Sequence, residues 1–162
     1  MPDSIDSKLW KDLTTEEVYE FLRLRCNVFM WEQKADDEEM DGRDLEPTTV
    51  HWWISDDRGC AAYLRVLWND IPEHRDAHRV VGRVAVRADR RGDGLARRLM
   101  EGVVAQLDAA GEAAMLHAQD YVVGLYERFG FEAFGEPYDE AGIPHLSMYR
   151  PARGDAQRAA RT

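Results

Sequence analysis

Apolar positions along the chain change period several times, and each change marks an element. Val18, Phe21, Leu22, Cys26 and Phe29 recur at spacings of three and four, the mark of a helix with one buried stripe. Ahead of them Thr14-Thr15-Glu16-Glu17 offers a capping box, in which a threonine oxygen and a glutamate carboxylate satisfy amides that the helix leaves unpaired. The pattern predicts a helix running to about Phe29, preceded by a short strand at Lys8-Leu9-Trp10-Lys11. Residues 34–49 turn polar, with seven acidic side chains around Gly42 and Pro47 at the end, and predict a loop. Val50 to Ile54 and Ala61 to Leu67 are rich in strand formers and flank the turn Asp56-Asp57-Arg58-Gly59, which predicts a hairpin.

Arg79 to Val86 reads as a further strand with Val84 and Val86 on one face, leading into Ala88-Asp89-Arg90-Arg91-Gly92-Asp93-Gly94. Beyond that loop Leu95, Leu99, Val103 and Leu107 repeat every four residues, a strongly amphipathic helix closed by Gly111. Ala113 to Ala118 predicts a short buried strand, and Val122, Leu125, Tyr126 and Phe129 a helix stopped by Gly130. A last hairpin is expected from Phe131 to Phe134 and Leu146 to Tyr149, with 151–162 an apolar-poor, disordered tail. Strand, glycine loop, helix, strand, helix is an α/β arrangement, without internal repeats, and residues 1–150 are expected to form a single domain.

Length and composition narrow the field. A chain of 162 residues can bury a core of its own. No apolar run approaches the ~20 residues of a membrane span, and Met1-Pro2-Asp3-Ser4 lacks the features of a signal peptide, so a soluble cytoplasmic protein is expected. Cys26 and Cys60 have no Cys-x-x-Cys spacing and no histidine at ligand distance, which points to packing and away from disulfides or zinc. The net charge of −10 disfavours nucleic acid and anionic membrane as partners. Its acidic, lysine-poor make-up, with only Lys8, Lys11 and Lys34 among 21 basic residues, fits a saline cytoplasm. Against that background seven arginines crowd residues 79–98 with only Asp89 and Asp93 to oppose them, so an anionic ligand is expected there.

A strand that enters Arg91-Gly92-Asp93-Gly94-Leu95-Ala96 at the head of a helix is a physical recipe for holding phosphates. Glycines let the backbone approach, unpaired amides point outward, and the helix dipole adds positive charge. An ordinary turn is the plain alternative. The Gly-Lys-Ser/Thr ending of a nucleotide-hydrolase loop is missing, and Ala96 stands where the dinucleotide fingerprint has its third glycine. Asp37-x-Glu39-x-Asp41-Gly42 opens like a calcium loop but has Thr48 in place of the closing glutamate, so a solvated acidic loop is expected and no metal.

Arg91, Gly94 and Ala96 occupy the fixed positions of the Arg/Gln-x-x-Gly-x-Gly/Ala signature, and Tyr126 to Phe131 resembles the Tyr-x-x-x-Gly-Phe segment that follows it in the GNAT acyltransferases. Further matches resemble the ElaA-like branch: Leu24-Arg25-Cys26-x-Val28-Phe29, Glu32-Gln33, Asp41-Gly42-x-Asp44-Leu45, His51, Ala118-Gln119 and Gly142-Ile143-Pro144-His145-Leu146-x-Met148. The branch's Cys-Pro-Tyr after Glu-Gln is replaced here by Ala35-Asp36-Asp37.

The resemblance implies a mixed, mostly antiparallel central sheet with helices on both faces and a splayed strand pair that holds coenzyme A. It implies acetyl-CoA as cosubstrate and a small-molecule or peptide amine as acceptor, with the acetyl group moved directly in a ternary complex. CoA contacts are expected from the backbone of Val84, Ala85 and Val86, from Arg91, Gly92, Asp93, Gly94, Leu95 and Ala96, and from Gln119. Gln33, His51 and His145 are expected near the acceptor. Tyr126 matches the family's general acid, since a phenol (~10) can donate to a thiolate whose thiol lies near ~8.5. Lysine-like amines need a base, for which Glu32, His51 and His145 stand in that order. His117 is expected as a satisfied core histidine. A non-catalytic acyl-CoA-binding module and a nucleotide-binding protein remain rival readings, and the sequence leaves oligomeric state open, a homodimer included.

Overall fold

The computed structural model describes residues 3–35, 37–140 and 142–153. Seven strands form one mixed sheet in the order β1-β2-β3-β4-β5-β7-β6, with β1 (Ser4–Leu9), β2 (Val50–Asp56), β3 (Gly59–Trp68), β4 (Arg79–Val86), β5 (Ala114–Gln119), β6 (Glu132–Glu140) and β7 (Ile143–Arg150). The pairs β1–β2, β2–β3, β5–β7 and β6–β7 are antiparallel, whereas β4 and β5 are parallel. The helices are α1 (Thr15–Arg25), α2 (Leu95–Ala110) and α3 (Val123–Glu127). Among the described residues no helix is long and apolar enough to cross a membrane. The chain divides into two compact units, Met1–Leu67 with Gly82–Leu99, and Trp68–Val81 with Met100–Thr162.

In the first unit α1 starts as its sequence predicts. Thr14 Oγ1 accepts from the Glu17 amide at 3.1 Å and Glu17 Oε1 accepts from the Thr14 amide at 2.9 Å, the reciprocal pair of a capping box. Phe21, Leu24 and Val28 pack with Trp53, Cys60, Tyr63 and Ala85 in the core. The helix does not run on to Phe29 as an α-helix. From Cys26 to Glu32 it widens into π geometry, with the Gln33 amide bonded to the Val28 carbonyl at 3.0 Å. The extra residue per turn carries Met30, Trp31 and Glu32 out to solvent. The first strand begins at Ser4, before the apolar pair that suggested it, because Ser4-Ile5-Asp6 pairs with Ser55-Ile54-Trp53 of β2. Cross-strand pairing, not propensity, makes that edge strand.

In the second unit β5 buries Ala114, Met115, Leu116 and Ala118. Arg150, 1% exposed at the end of β7, reaches Asp108 of α2 with both terminal nitrogens (2.8 and 3.1 Å) and donates to the Phe129 carbonyl at 2.7 Å. The last hairpin is longer than its apolar residues suggested. The strand β6 absorbs Gly135 and Pro137 through a break in register between Phe134 and Tyr138, which an edge strand tolerates. The second predicted helix is short, one 3₁₀ turn (Asp120–Val122) followed by the five residues of α3. The tail expected from 151 lies, from residue 154 onward, outside the described residues.

Candidate functional site

The loop between β4 and α2 takes the conformation its glycines permit. Ala88–Arg90 forms a 3₁₀ turn, and Gly92 and Gly94 then adopt φ of +87° and +76°, values that L side chains rarely hold. Leu95 opens α2, whose first amides have no intrahelical acceptor, and Ala96 lies in the same turn. A Cβ built on Gly94 would lie 3.5 Å from the Arg97 guanidinium, so the glycine is required by its backbone angle more than by lack of space.

The strand leading into that loop is irregular. The β4–β5 ladder covers Arg79–Val81 against Ala114–Leu116, although β4 continues to Val86 and β5 to Gln119. Just past the end of the ladder Arg83 sits at φ +53°, in the left-handed region and in the middle of a strand. A residue there interrupts the alternation of a strand, and the burial pattern shows it. Val80 and Val81 are both buried, and Val84 and Val86 are half-buried around a buried Ala85. The strand pair therefore parts where the resemblance placed its splay.

The arginine concentration beside the loop is largely spent on carboxylates. Arg87 holds Asp56 and Asp89, Arg90 holds Asp3, Asp56 and Asp93, and Arg98 holds Asp3. The hydrogen bond from Arg87 keeps Asp56 ionised far below the usual carboxylate range. Arg79 pairs with Glu112. The net positive field expected from composition is thus offset by Asp89 and Asp93 of the loop itself and by acids brought from 31 to 95 residues away in sequence. What the loop offers an anion is its backbone and Arg91.

Arg91 has its own partner. Its Nη2 donates to Glu32 Oε2 at 2.6 Å and to the Val86 carbonyl at 3.2 Å, with Nε 3.3 Å from the same carbonyl. Glu32, expected as a base, is paired with this guanidinium. It stands at the end of the π turn with Gln33 next, half-buried.

The acidic loop is not the solvated segment its composition suggested. Glu39, Asp41 and Asp44 turn inward onto three arginines. Arg25, fully buried, donates to Glu39 Oε1 at 2.6 Å and Asp44 Oδ1 at 2.8 Å; Arg65 reaches Asp41 and Asp44; Arg83 Nε lies 3.0 Å from Glu39. Burial pushes the Asp44 carboxyl up, but the Arg25 hydrogen bond and charge outweigh it and hold the group below its ordinary value. Two sequence signals mark this network: Arg25 on the apolar stripe of α1, and Arg65 inside the apolar run of β3.

His51 belongs to the same network and has no surface to present to an acceptor. It is 0% exposed, stacks on Phe21 at 5.1 Å, and uses both ring nitrogens. Nε2 lies 3.0 Å from the Asp44 carbonyl, which can only accept, so Nε2 carries the hydrogen and Nδ1 accepts from Tyr63 Oη at 2.7 Å. Burial lowers its pKa and keeps it neutral.

In the second unit Tyr126 is 6% exposed, with its ring edge-on to Phe131 at 6.2 Å. Burial, with a smaller effect of Tyr121, pushes its phenol up to about 12. Gln119, half-buried at the end of β5, accepts a hydrogen bond from Tyr121. His145 lies within β7; its Nδ1 donates to the Ile143 carbonyl at 2.8 Å and its ring stacks on Tyr138 at 5.7 Å. His117 is satisfied but it is not a core residue. It is exposed on β5, with Nε2 3.2 Å from Glu73 and Nδ1 3.1 Å from Ser147 Oγ. Neither Glu73 nor Ser147 carries a sequence signal, since their role depends on the histidine they meet. Among the described residues no group of His, Cys, Asp and Glu is arranged to hold a metal.

Comparison with known proteins agrees with this architecture. The profile of the acetyltransferase (GNAT) domain matches residues 11–150. A UPF0039 protein of Mycobacterium tuberculosis is 34% identical over 155 residues, spanning 93% of this chain and 96% of its own. Protein ElaA of Escherichia coli is 34% identical over 151 residues, spanning 87% and 95%. The ElaA crystal structure superposes with a TM-score of 0.82 over 92% of this chain and 99% of that one, with 28% identity over the superposed residues. An acyl-CoA N-acyltransferase from Pseudomonas aeruginosa superposes equally well, TM-score 0.82 with 37% identity, over the same shares. A parted strand pair leading into a two-glycine loop, matched along nearly the whole chain, makes this protein a member of the GNAT acetyltransferase family.

Proposed function

We propose that the protein is an acetyl-CoA-dependent N-acetyltransferase that moves the acetyl group to a primary amine by direct attack in a ternary complex. The observation that carries this reading is the β4–α2 segment: a strand released from its neighbour after Val81, then Gly92 and Gly94 at positive φ leading into the α2 N-terminus. Those residues fit coenzyme A. Amides of Gly92, Asp93, Gly94, Leu95 and Ala96 suit its phosphates, and backbone of Val84, Ala85 and Val86 suits the amides of its pantetheine arm. When bound, the cosubstrate supplies an activated thioester.

Tyr126 serves the leaving thiolate. Its buried phenol stays protonated, about 12 against ~8.5 for a free thiol, so it stabilises the thiolate as a hydrogen-bond donor while solvent completes protonation. Tyr126→Phe therefore slows turnover without abolishing it. Glu32 pairs with Arg91, so the guanidinium exchanges that carboxylate for phosphate when coenzyme A binds. Direct transfer is supported by Cys60, whose buried thiol is pushed up to about 12 and whose Sγ donates to the Ala62 carbonyl, a poor nucleophile on both counts. With Glu39, Asp41 and Asp44 engaged by arginines and Glu46 paired with Arg43, the exposed acidic side chains of that loop among the described residues are Asp37 and Glu38.

The test is thiol release from acetyl-CoA against a panel of small amines, peptide N-termini and lysine peptides, at low and high salt, with calorimetry of CoA binding. Amine-dependent release, lost in Gly94→Asp and reduced in Tyr126→Phe, is the expected result. Tight CoA binding with no turnover for any amine would favour a binding module, ATP binding that CoA fails to displace would favour a nucleotide site, and no CoA binding would overturn the reading.

A further inference from the structure

His117 occupies an unusual place. Its strand, β5, is paired with β7 at this position, while its ladder with β4 ends at Leu116; Leu116 and Ala118 on the opposite face are buried, yet the imidazole is about a third exposed. A histidine exposed on an inner strand means that the sheet is open above it. Three separate segments converge on that opening: Glu73 from the β3–β4 connection, His117 from β5, and Ser147 from β7, which lies opposite His117 in register. Tyr138 of β6 borders them, its ring edge-on to His117 at 6.1 Å and its hydroxyl hydrogen-bonded to Ser147. Two residues along β5 on the same face is Gln119, opposite His145.

The hydrogen bonds have a direction. A carboxylate only accepts, so Nε2 of the neutral ring carries the hydrogen and donates it to Glu73. Nδ1 is then the basic nitrogen, and it takes the Ser147 hydroxyl proton as its partner. Ser147 Oγ then accepts from the Tyr138 hydroxyl and keeps one lone pair for an incoming donor. Serine, imidazole and carboxylate in sequence can pass one proton inward and stabilise the resulting imidazolium against Glu73.

We propose that Ser147, His117 and Glu73 form the proton relay for the acceptor amine. The proposal rests on the transferase reading above. As the amine nitrogen bonds to the acetyl carbon and the carbon–sulfur bond breaks, the surplus proton on nitrogen passes to Ser147 Oγ. The hydroxyl proton of Ser147 passes to His117 Nδ1, and Glu73 holds the imidazolium until it loses that proton to solvent. Ser147 touches the acceptor; His117 and Glu73 act through it. The other titratable groups facing the ring are the Tyr138 phenol, raised by burial and then by Glu140, and behind it His145, which stacks on Tyr138 with Glu140 3.9 Å away. A raised phenol stays neutral through the working range and leaves the acid limb to His117.

The experiment is kcat and KM from pH 5.5 to 9 for wild type, His117→Gln, Ser147→Ala and Glu73→Gln, with the amine that best supports turnover, plus CoA affinity and melting curves for each. In wild type, kcat/KM should fall about tenfold per pH unit below the imidazole titration. His117→Gln should lower kcat by about 10²-fold or more and remove that limb, with CoA affinity and melting unchanged. Ser147→Ala should lower kcat and weaken the limb, because His117 reaches the amine through that hydroxyl, and Glu73→Gln should lower kcat, because the imidazolium loses its counter-charge. Wild-type turnover with His117→Gln equal to it in rate and pH profile would overturn the relay alone. Wild type inert toward every amine would overturn the transferase reading and the relay together.

Discussion

Two strand histidines have nearly the same hydrogen bonds and opposite surroundings. In each, Nε2–H donates to an oxygen that can only accept, Asp44 O for His51 and Glu73 Oε2 for His117, and Nδ1 meets a hydroxyl, of Tyr63 or Ser147. The first ring is sealed under Phe21 and α1 with no exposed surface; the second stands on an open part of the sheet. Sealed against a neutral carbonyl, His51 stays uncharged. His117 is open to solvent and faces a carboxylate. The partner set does not decide a histidine's role; coverage and the charge of the partner do.

The contrast can be broken most severely at its sealed end. Arg25→Ala should cost about 3–5 kcal/mol, read by urea unfolding, because Asp44 would be left as a buried charge with one partner fewer. His51→Ala should cost roughly 2–4 kcal/mol, leaving the Tyr63 hydroxyl and the Asp44 carbonyl without their ring. His117→Ala should stay within about 0.5 kcal/mol. Equal losses at the two histidines would erase the distinction between them.

Acid sharpens the comparison next. The pKa of His51 is depressed in the folded state, so unfolded chains take up its proton first as pH falls below 6.5, and stability declines there by up to ~1.4 kcal/mol per pH unit. Asp44 and Asp56 are also depressed, and their contribution is present above 3.8 and lost as pH falls through their lower folded values. Denaturation midpoints between pH 8 and pH 5 should therefore drop in wild type and in His117→Gln alike. A drop absent from wild type would mean that His51 is not held neutral.

The smallest effect concerns an ion pair at the surface. Arg91 and Glu32 are 48% and 38% exposed, unlike the pairs around Arg25. Glu32→Gln should leave melting unchanged and tighten CoA binding by at most about fivefold, since exposed pairs contribute ~0–1 kcal/mol and the freed guanidinium can turn to phosphate. Calorimetry at two salt concentrations checks this, and weaker binding would show that Glu32 positions Arg91 productively.

Much was legible along the chain because it is encoded locally. The capping box at Thr14 and Glu17, the four-residue repeat from Leu95 to Leu107, the bounds of β4 and the two glycines before α2 each follow from near neighbours and steric rules. The family came from a resemblance carried by Arg91, Gly94 and Ala96 and by the segment from Tyr126 to Phe131. What the chain order could not reveal was coverage and pairing. Asp3 meets Arg90 across 87 positions, and Glu73 meets His117 across 44, so neither the cancelled charge of the arginine cluster nor the open histidine has a local signature. The acidic loop shows the same limit, since its composition promises solvent while Arg25 and Arg65 draw it inward. Periodicity is a property of neighbouring residues, and the sequence determined it. Burial and charge compensation depend on which distant segments are folded against one another, and only the tertiary structure decided that His51 would be sealed in and His117 left open to solvent.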